Sequence, residues 1–250
     1  MKKRMIGLML VICIAVLTAS CAGFSPKSAG YDAMKQAVER FDSRSSVALQ
    51  LEANMEIDIM GSSISLPMTV EYKGTDRKGE NPLSYAKMTY SLLGQSVVTE
   101  KYESDGYTYT VAPTGNSKAP TVGSVDVFGT LGDSLLQLNR DAVEKKGFTA
   151  NGDLLTLELE LSDAEALNVF AAAINSTSEV TDASTENTVV SNGSVTVNLK
   201  GEELDSFTFR FDMETEIAGV KTTYHTTYTA RFSTPDESIS VTLPQGYESF

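Results

Sequence analysis

The chain has almost nothing with which to run acid–base or metal chemistry. Its 250 residues include one histidine and two cysteines. Cys13 lies in an N-terminal apolar run expected to be removed, which leaves Cys21 as the only mature cysteine. A disulfide, a thiol nucleophile away from the N-terminus and a cysteine-based metal site are thereby excluded. A Ser-His-Asp triad or a zinc site would have to be built on His225 alone. That residue sits in a threonine-rich run, Lys221–Thr229, at the parity of the polar side, and reads as an exposed strand histidine. No Gly-x-Gly-x-x-Gly and no Walker-type loop occurs, so no nucleotide site, cofactor or enzymatic activity is expected. Positive charge is scarce as well, with 20 Lys and Arg against 33 Asp and Glu. Loss of the three basic residues in 1–20 would move the formal charge from −13 to about −16. Such a surface repels nucleic acid and anionic lipid headgroups.

What the chain does have begins at its N-terminus. Lys2-Lys3-Arg4 precede an apolar run from Met5 to Leu17, and Leu17-Thr18-Ala19-Ser20-Cys21 follows. The run is shorter than the ~20 residues a membrane-spanning helix needs, and it fits a secretory signal peptide. The segment before Cys21 resembles a bacterial lipobox, with Thr18 where Leu is commoner. The resemblance implies cleavage after Ser20 and acylation of Cys21, hence attachment to a membrane through acyl chains. An uncleaved N-terminal anchor is the alternative. The expected organisation is therefore a signal peptide over 1–20, a lipidated Cys21 with a tether to residue 30, and one domain over 31–250.

Within that domain the period-two signal dominates. Tyr31 to Phe41 reads as a short helix with Met34, Ala37, Val38 and Phe41 on one face. Val47, Leu49, Leu51, Ala53, Met55, Ile57 and Ile59 then alternate with polar residues, which predicts a strand about 43 Å long at roughly 3.3 Å per residue. Ile64, Leu66, Met68, Val70 and Tyr72 continue at the opposite parity, as a hairpin turning at Gly61-Ser62 requires. That turn would pair Ile59 with Ile64, Ile57 with Leu66 and Met55 with Met68. Pro67 would then fall in a hydrogen-bonded pair, so a longer turn or a bulge is expected there. A second hairpin of the same kind places Phe207, Phe209, Phe211, Met213 and Ile217 before Gly219, and Thr222 to Phe232 after it. Met55–Gly61 and Met213–Gly219 match at Met, Glu, Ile and Gly.

Further strands are expected at Ala86–Leu92, Val97–Tyr102, Tyr107–Val111, Leu155–Leu161, Val195–Leu199 (after a turn at Asn192-Gly193) and Ile239–Leu243. Ser162-Asp163-Ala164-Glu165 is a capping-box pattern opening a helix to about Ile174, with Leu167, Phe170, Ala171 and Ile174 on one face. A second helix is expected over Asp133–Ala142, and 175–187 reads as a solvated loop.

The order of these parts (signal, lipobox, tether, helix, long antiparallel strands, inserted helices) resembles the LolA/LolB/LppX-type lipoprotein-carrier fold. The resemblance rests on element order and strand length over most of 31–243. It implies an α+β fold, an unclosed antiparallel half-barrel with helices covering its concave face, and a hydrophobic cavity between them. One face of the expected sheet carries Met55, Met68, Met88, Phe207, Phe209, Phe211, Met213, Tyr224 and Tyr228, which suit a soft, lipid-sized ligand. The same residues can equally be core, filled from the helices by Leu135, Leu138, Leu167 and Phe170. Glu52, Glu56, Asp58, Asp212, Glu214 and Glu216 mark the other face as solvated or, alternatively, as an acidic docking surface. Function is thus expected to be binding: of a lipid or other hydrophobic ligand, or of an envelope protein that the chain supports as an adaptor. A hydrolase working with carboxylates alone ranks last, because nothing in the sequence brings two together.

Overall fold

The computed structural model describes residues 26–59, 61–92, 94–121, 132, 135, 136, 138, 143–169, 188–217, 220–235 and 237–250. The expected signal peptide, Cys21, Phe170, Ile174, Gly219 and the 175–187 loop lie outside these residues, as does most of 133–142.

Among the described residues eleven strands form one antiparallel sheet. They are β1 (Val47–Ile59), β2 (Ser62–Thr75), β3 (Leu83–Leu92), β4 (Gln95–Ser104), β5 (Tyr107–Ala112), β6 (Gly115–Pro120), β7 (Val143–Asn151), β8 (Leu154–Leu161), β9 (Thr188–Lys200), β10 (Glu203–Ile217) and β11 (Val220–Phe232). Spatial order is β6-β5-β4-β3-β2-β1-β11-β10-β9-β8-β7. Two meanders are therefore joined down the middle by the first and last strands, which pair from Leu49–Phe232 to Ile59–Thr222. The sheet is unclosed, with β6 and β7 at its edges, and the fold is an α+β open half-barrel. The two matching hairpins of the sequence turn out to be neighbours at its centre.

Helix α1 (Pro26–Ser43) begins five residues before the expected Tyr31 and takes in part of the expected tether. Proline is favoured at a first helical position, where its missing N–H costs no bond. The apolar stripe Met34, Ala37, Val38 and Phe41 is fully buried. α1 packs across β7–β10 on the face that also carries Val47, Leu49 and Leu51. Its far end is tied down by Arg40 to Glu202 at 3.1 Å, by Arg44 to Glu203, and by Arg77 and Lys78 to Asp42. A second helix, α2 (residues 163–169), follows Ser162, whose carbonyl accepts the Ala166 N–H at 2.9 Å. No helix among the described residues is long and apolar enough to cross a membrane.

The β1–β2 hairpin corrects the expected register. Ile59 closes against Ser62, so Ile57 meets Ile64 and Met55 meets Leu66. The loop is residues 60–61, one position earlier than expected. Gly61, at φ +80°, takes its second position, where a left-handed conformation is required. Moving the turn by one residue moves the register by two, so every side chain keeps its face. It also resolves the proline. Counting alternate pairs from the closing pair, Pro67 opposite Asn54 falls in a non-hydrogen-bonded pair, and no bulge is needed on that side. On its other side the β2–β3 ladder begins only at Met68–Tyr90, so the absent N–H leaves no bond unmade.

Three other expectations change. Asn192-Gly193 is a bulge within β9, not a turn before it: pairing with β10 jumps from Arg210–Ser194 to Asp212–Ser191. Asn192 adopts φ +54°, and any Cβ on Gly193 would collide with the Cβ of Ala166 in α2. The bulge is where a helix presses on a strand. Residues 239–243 are not a strand; the C-terminal segment instead runs to a 3-10 turn, Tyr247–Ser249, and sets Tyr247 and Phe250 edge-on against Tyr109. β6 and β7 had no forecast because Gly115–Pro120 and Val143–Asn151 lack apolar alternation. Both are edge strands, and Lys118 and Pro120 in β6 suit an edge that must refuse further pairing.

Candidate functional site

Cross-strand registers assemble the inner face into rows. One runs Tyr90–Met68–Ala53–Tyr228–Phe209–Val195–Leu159. Beside it lies Met88–Val70–Leu51–Ala230–Phe207–Val197–Leu157. Towards the β1–β2 turn come Leu66–Met55–Thr226–Phe211 and then Ile64–Ile57–Tyr224–Met213–Val190. All nine residues named from the sequence therefore share one face. The reason is the strict period of two, which survived the register correction.

They do not share one environment. Phe207, Phe209 and Phe211 are buried in the core under α1, with Phe209 stacked on Phe211 at 5.0 Å and Phe211 on Tyr228 at 6.0 Å. Met88, Met213 and Tyr228 are half-buried against that core. Met55, Met68 and Tyr224 are half-buried beyond it. Further along the same face Ile59 is 36%, Tyr90 39% and Ile64 43% exposed. The inner face thus grades from a closed aromatic core beneath α1 to an open apolar surface over the outer reaches of β1, β2 and β3.

Two members of this surface were not singled out from the sequence. Tyr90 stands two residues beyond Met88 and extends its face, a signal that alternation alone could have given. Thr226 lies between Tyr224 and Tyr228, buried between Met55 and Phe211 in the register. Its Oγ1 makes no hydrogen bond among the described residues. A buried hydroxyl without a partner is costly and rare enough to require a reason. Burial likewise pushes the Tyr228 hydroxyl above its ordinary pKa, so it stays a neutral donor.

The outer face has a different chemistry. His225 is exposed, with Nδ1 2.7 Å from Asp212 Oδ1 and Nε2 3.4 Å from Asp58 Oδ2. The hydrogen bond to Asp212 raises the imidazole pKa, and the charges of Asp212 and Asp58 add to it against a smaller desolvation effect. Desolvation pushes the Asp212 carboxyl up, but hydrogen bonds from Asn192 and His225 outweigh it and hold the carboxyl below its ordinary value. Glu52 pairs with Arg231 and Glu214 with Lys221, both at 2.8 Å. Much of the expected acidic surface is therefore internally paired. Among the described residues no group of three or more His, Cys, Asp or Glu is placed to hold a metal ion.

A cavity of about 470 Å³ lies at the opposite end of β2–β5, lined by Tyr72, Arg77, Glu80, Ser84, Glu103 and Asp105 among others. Its polar and charged walls are unsuited to an acyl chain. The apolar surface is the better candidate site.

No protein-family model matches the chain, and no curated protein matches its sequence. Solved structures similar to it include LprF from Mycobacterium bovis, at 13% identity over 88% of this chain and 98% of that one, with a TM-score of 0.44. A LolA superfamily protein from Nitrosomonas europaea is 12% identical over 83% of this chain and 95% of that one, with a TM-score of 0.26. An outer membrane lipoprotein-sorting protein domain from Vibrio parahaemolyticus, described as putative, is 11% identical over 85% and 95%, again with a TM-score of 0.26.

Proposed function

We propose that the chain is an extracytoplasmic lipoprotein, anchored through acylated Cys21, whose inner face binds a lipid or another hydrophobic ligand. One observation carries the reading: the apolar inner face continues past the part α1 covers, as half-buried methionines and tyrosines ending in exposed isoleucines. A core with no further role would end where its cover ends. Methionine adapts to irregular apolar shapes, and a ligand site needs only a few polar groups to orient what it holds. Thr226 Oγ1 and the Tyr228 hydroxyl would supply them.

The test is native mass spectrometry of residues 22–250, followed by organic extraction. A reproducible extra mass that extracts as lipid is the expected result. A clean apo mass, with no uptake of added lipids, would overturn ligand binding. Weight would then move to the second reading, an adaptor that supports an envelope protein, for which a stable co-purifying partner is the positive sign.

A further inference from the structure

Two hairpins at one end of the sheet differ in kind from the turns at the other, while β10–β11 beside them keeps Glu216 and Lys221. At one end the turns are 75–83, 104–107, 151–154 and 200–203, and each carries charge: Asp76, Arg77, Lys78 and Glu80, then Asp105, Asp153 and Glu202. At the other end the β1–β2 and β3–β4 hairpins turn within sequences that carry no charge at all, from Ile59 to Val70 and from Met88 to Thr99. The chain around them is 21% charged. Pairing also shows that β1–β2 projects. The β2–β3 ladder ends at Met68–Tyr90, and the last β3–β4 pair is Leu92–Gln95. On the register, Ile59 stands four residues beyond the level of that pair, about 13 Å along the strand. The projecting part presents Ile59, Ile64 and Leu66 on its inner side and Glu56, Asp58, Ser63 and Ser65 on its outer side.

We propose that the uncharged turns of the β1–β2 and β3–β4 hairpins rest in the interface of the bilayer that holds the Cys21 anchor, so that the apolar inner face opens onto lipid instead of water. Resting on the lipoprotein reading above, this gives that same site its portal. A bilayer is the occupant the sequence already supplies, since the chain ahead of α1 ends in a lipobox-like cysteine. Charge is what an interface excludes most strongly, and the two turns and the inner side of their strands have none while every turn at the far end has some. Tyr90 stands where the tips meet the body of the sheet, with the mixed apolar and polar character that suits headgroup depth. Glu56 and Asp58 stand on the outer side of the projecting hairpin and Glu216 of β10 beside it, which selects zwitterionic over anionic lipid. A lipid could pass from the bilayer to Met68 and Met55 along a continuous apolar row without crossing water.

The described fold lies wholly within 26–250, so the chain from residue 21 carrying Cys21→Ser contains all of it without an acyl group. Flotation of this chain with phosphatidylcholine vesicles should show binding. Ile64→Glu should weaken partition roughly tenfold or more, the scale of one buried isoleucine replaced by charge. Leu154→Glu, an equally exposed apolar residue beside a charged turn, should leave it unchanged. Ser63→Glu alters only an exposed tip position and serves where Ile64→Glu fails to fold. Failure of the unsubstituted chain to float, or flotation unaffected by either tip variant, overturns the proposal. Lipid extracted from the same samples separates the two readings: bound lipid without flotation keeps the ligand site and removes the portal.

Discussion

The inner-face core spans β7–β11 and reaches across β1 and β2 to Ala86 of β3, whereas β4 and β5 bury their outer face. In β7–β10 the inner face is closed by α1 and α2, and Leu157, Leu159, Val195, Val197, Phe207, Phe209 and Phe211 form a continuous core. In β4 and β5 the outer face is the closed one. Tyr102 and Tyr109 are buried there, Tyr85 packs at a tilt against Tyr102 at 4.9 Å, and the C-terminal Tyr247 covers Tyr109 at 5.3 Å. Burial, with the charges of Glu100 and Glu71 nearby, pushes the Tyr85 pKa up to about 12. One helix cannot cover a sheet this wide. Among the described residues, β4 and β5 find their packing on the outside, and the apolar inner face is exposed only towards the ends of β1, β2 and β3.

Removing the closed half should do the most damage. Phe41→Ala deletes a fully buried ring packed edge-on against Phe232 at 4.9 Å, and should cost about 3–5 kcal/mol. Urea unfolding would measure it. Gly193→Ala should cost roughly 1–3 kcal/mol by forcing α2 off the β9 bulge. Adding Ala166→Gly should recover most of that loss, and a double variant no better than the single one would argue against the close approach. Thr226→Val runs the other way. It should stabilise the ligand-free protein by about 1 kcal/mol by removing an unpaired buried hydroxyl, while reducing the lipid recovered on extraction.

On the open half the stakes are lower. Tyr247→Ala should cost about 0.5–1.5 kcal/mol, with hydrogen exchange rising in β4 and β5 and not in β8–β10. Smallest is the pH dependence of the outer-face pair. The raised pKa of His225 contributes stability fully below about 6.5 and loses it as pH rises through the folded value. The lowered pKa of Asp212 contributes above about 3.8 and loses it as pH falls. Stability relative to a His225→Gln variant should therefore peak between about pH 4 and 6.5, by less than ~1 kcal/mol for so exposed a pair. A flat difference across that range would show the pair to be energetically idle.

Alternation made β1 legible to the residue, because thirteen positions of unbroken period two admit one reading. It made β6 and β7 invisible, because edge strands bury little and need no apolar face. The β1–β2 register was half legible. Gly61 and Pro67 both carried the needed constraint, one wanting a left-handed second loop position and the other a non-hydrogen-bonded pair. Only one turn satisfies both. Residues 239–243 misled for a related reason: half-burial of alternate side chains does not require pairing of the backbone between them.

The sequence by itself determined which side chains share a face, since parity is a local property of an extended chain. It determined the α1 stripe for the same reason, through the helical period. Tertiary structure alone decided which part of that face is core and which is open. Phe207 and Met68 share a face and an apolar character, and they differ in that the first lies in the core that α1 closes and the second beyond it. Where a helix crosses a sheet is set by long-range packing, here by Phe41 on Phe232 and by the ties of Arg40 and Arg44 to the β9–β10 turn. No local pattern encodes a contact between residues that far apart in the chain.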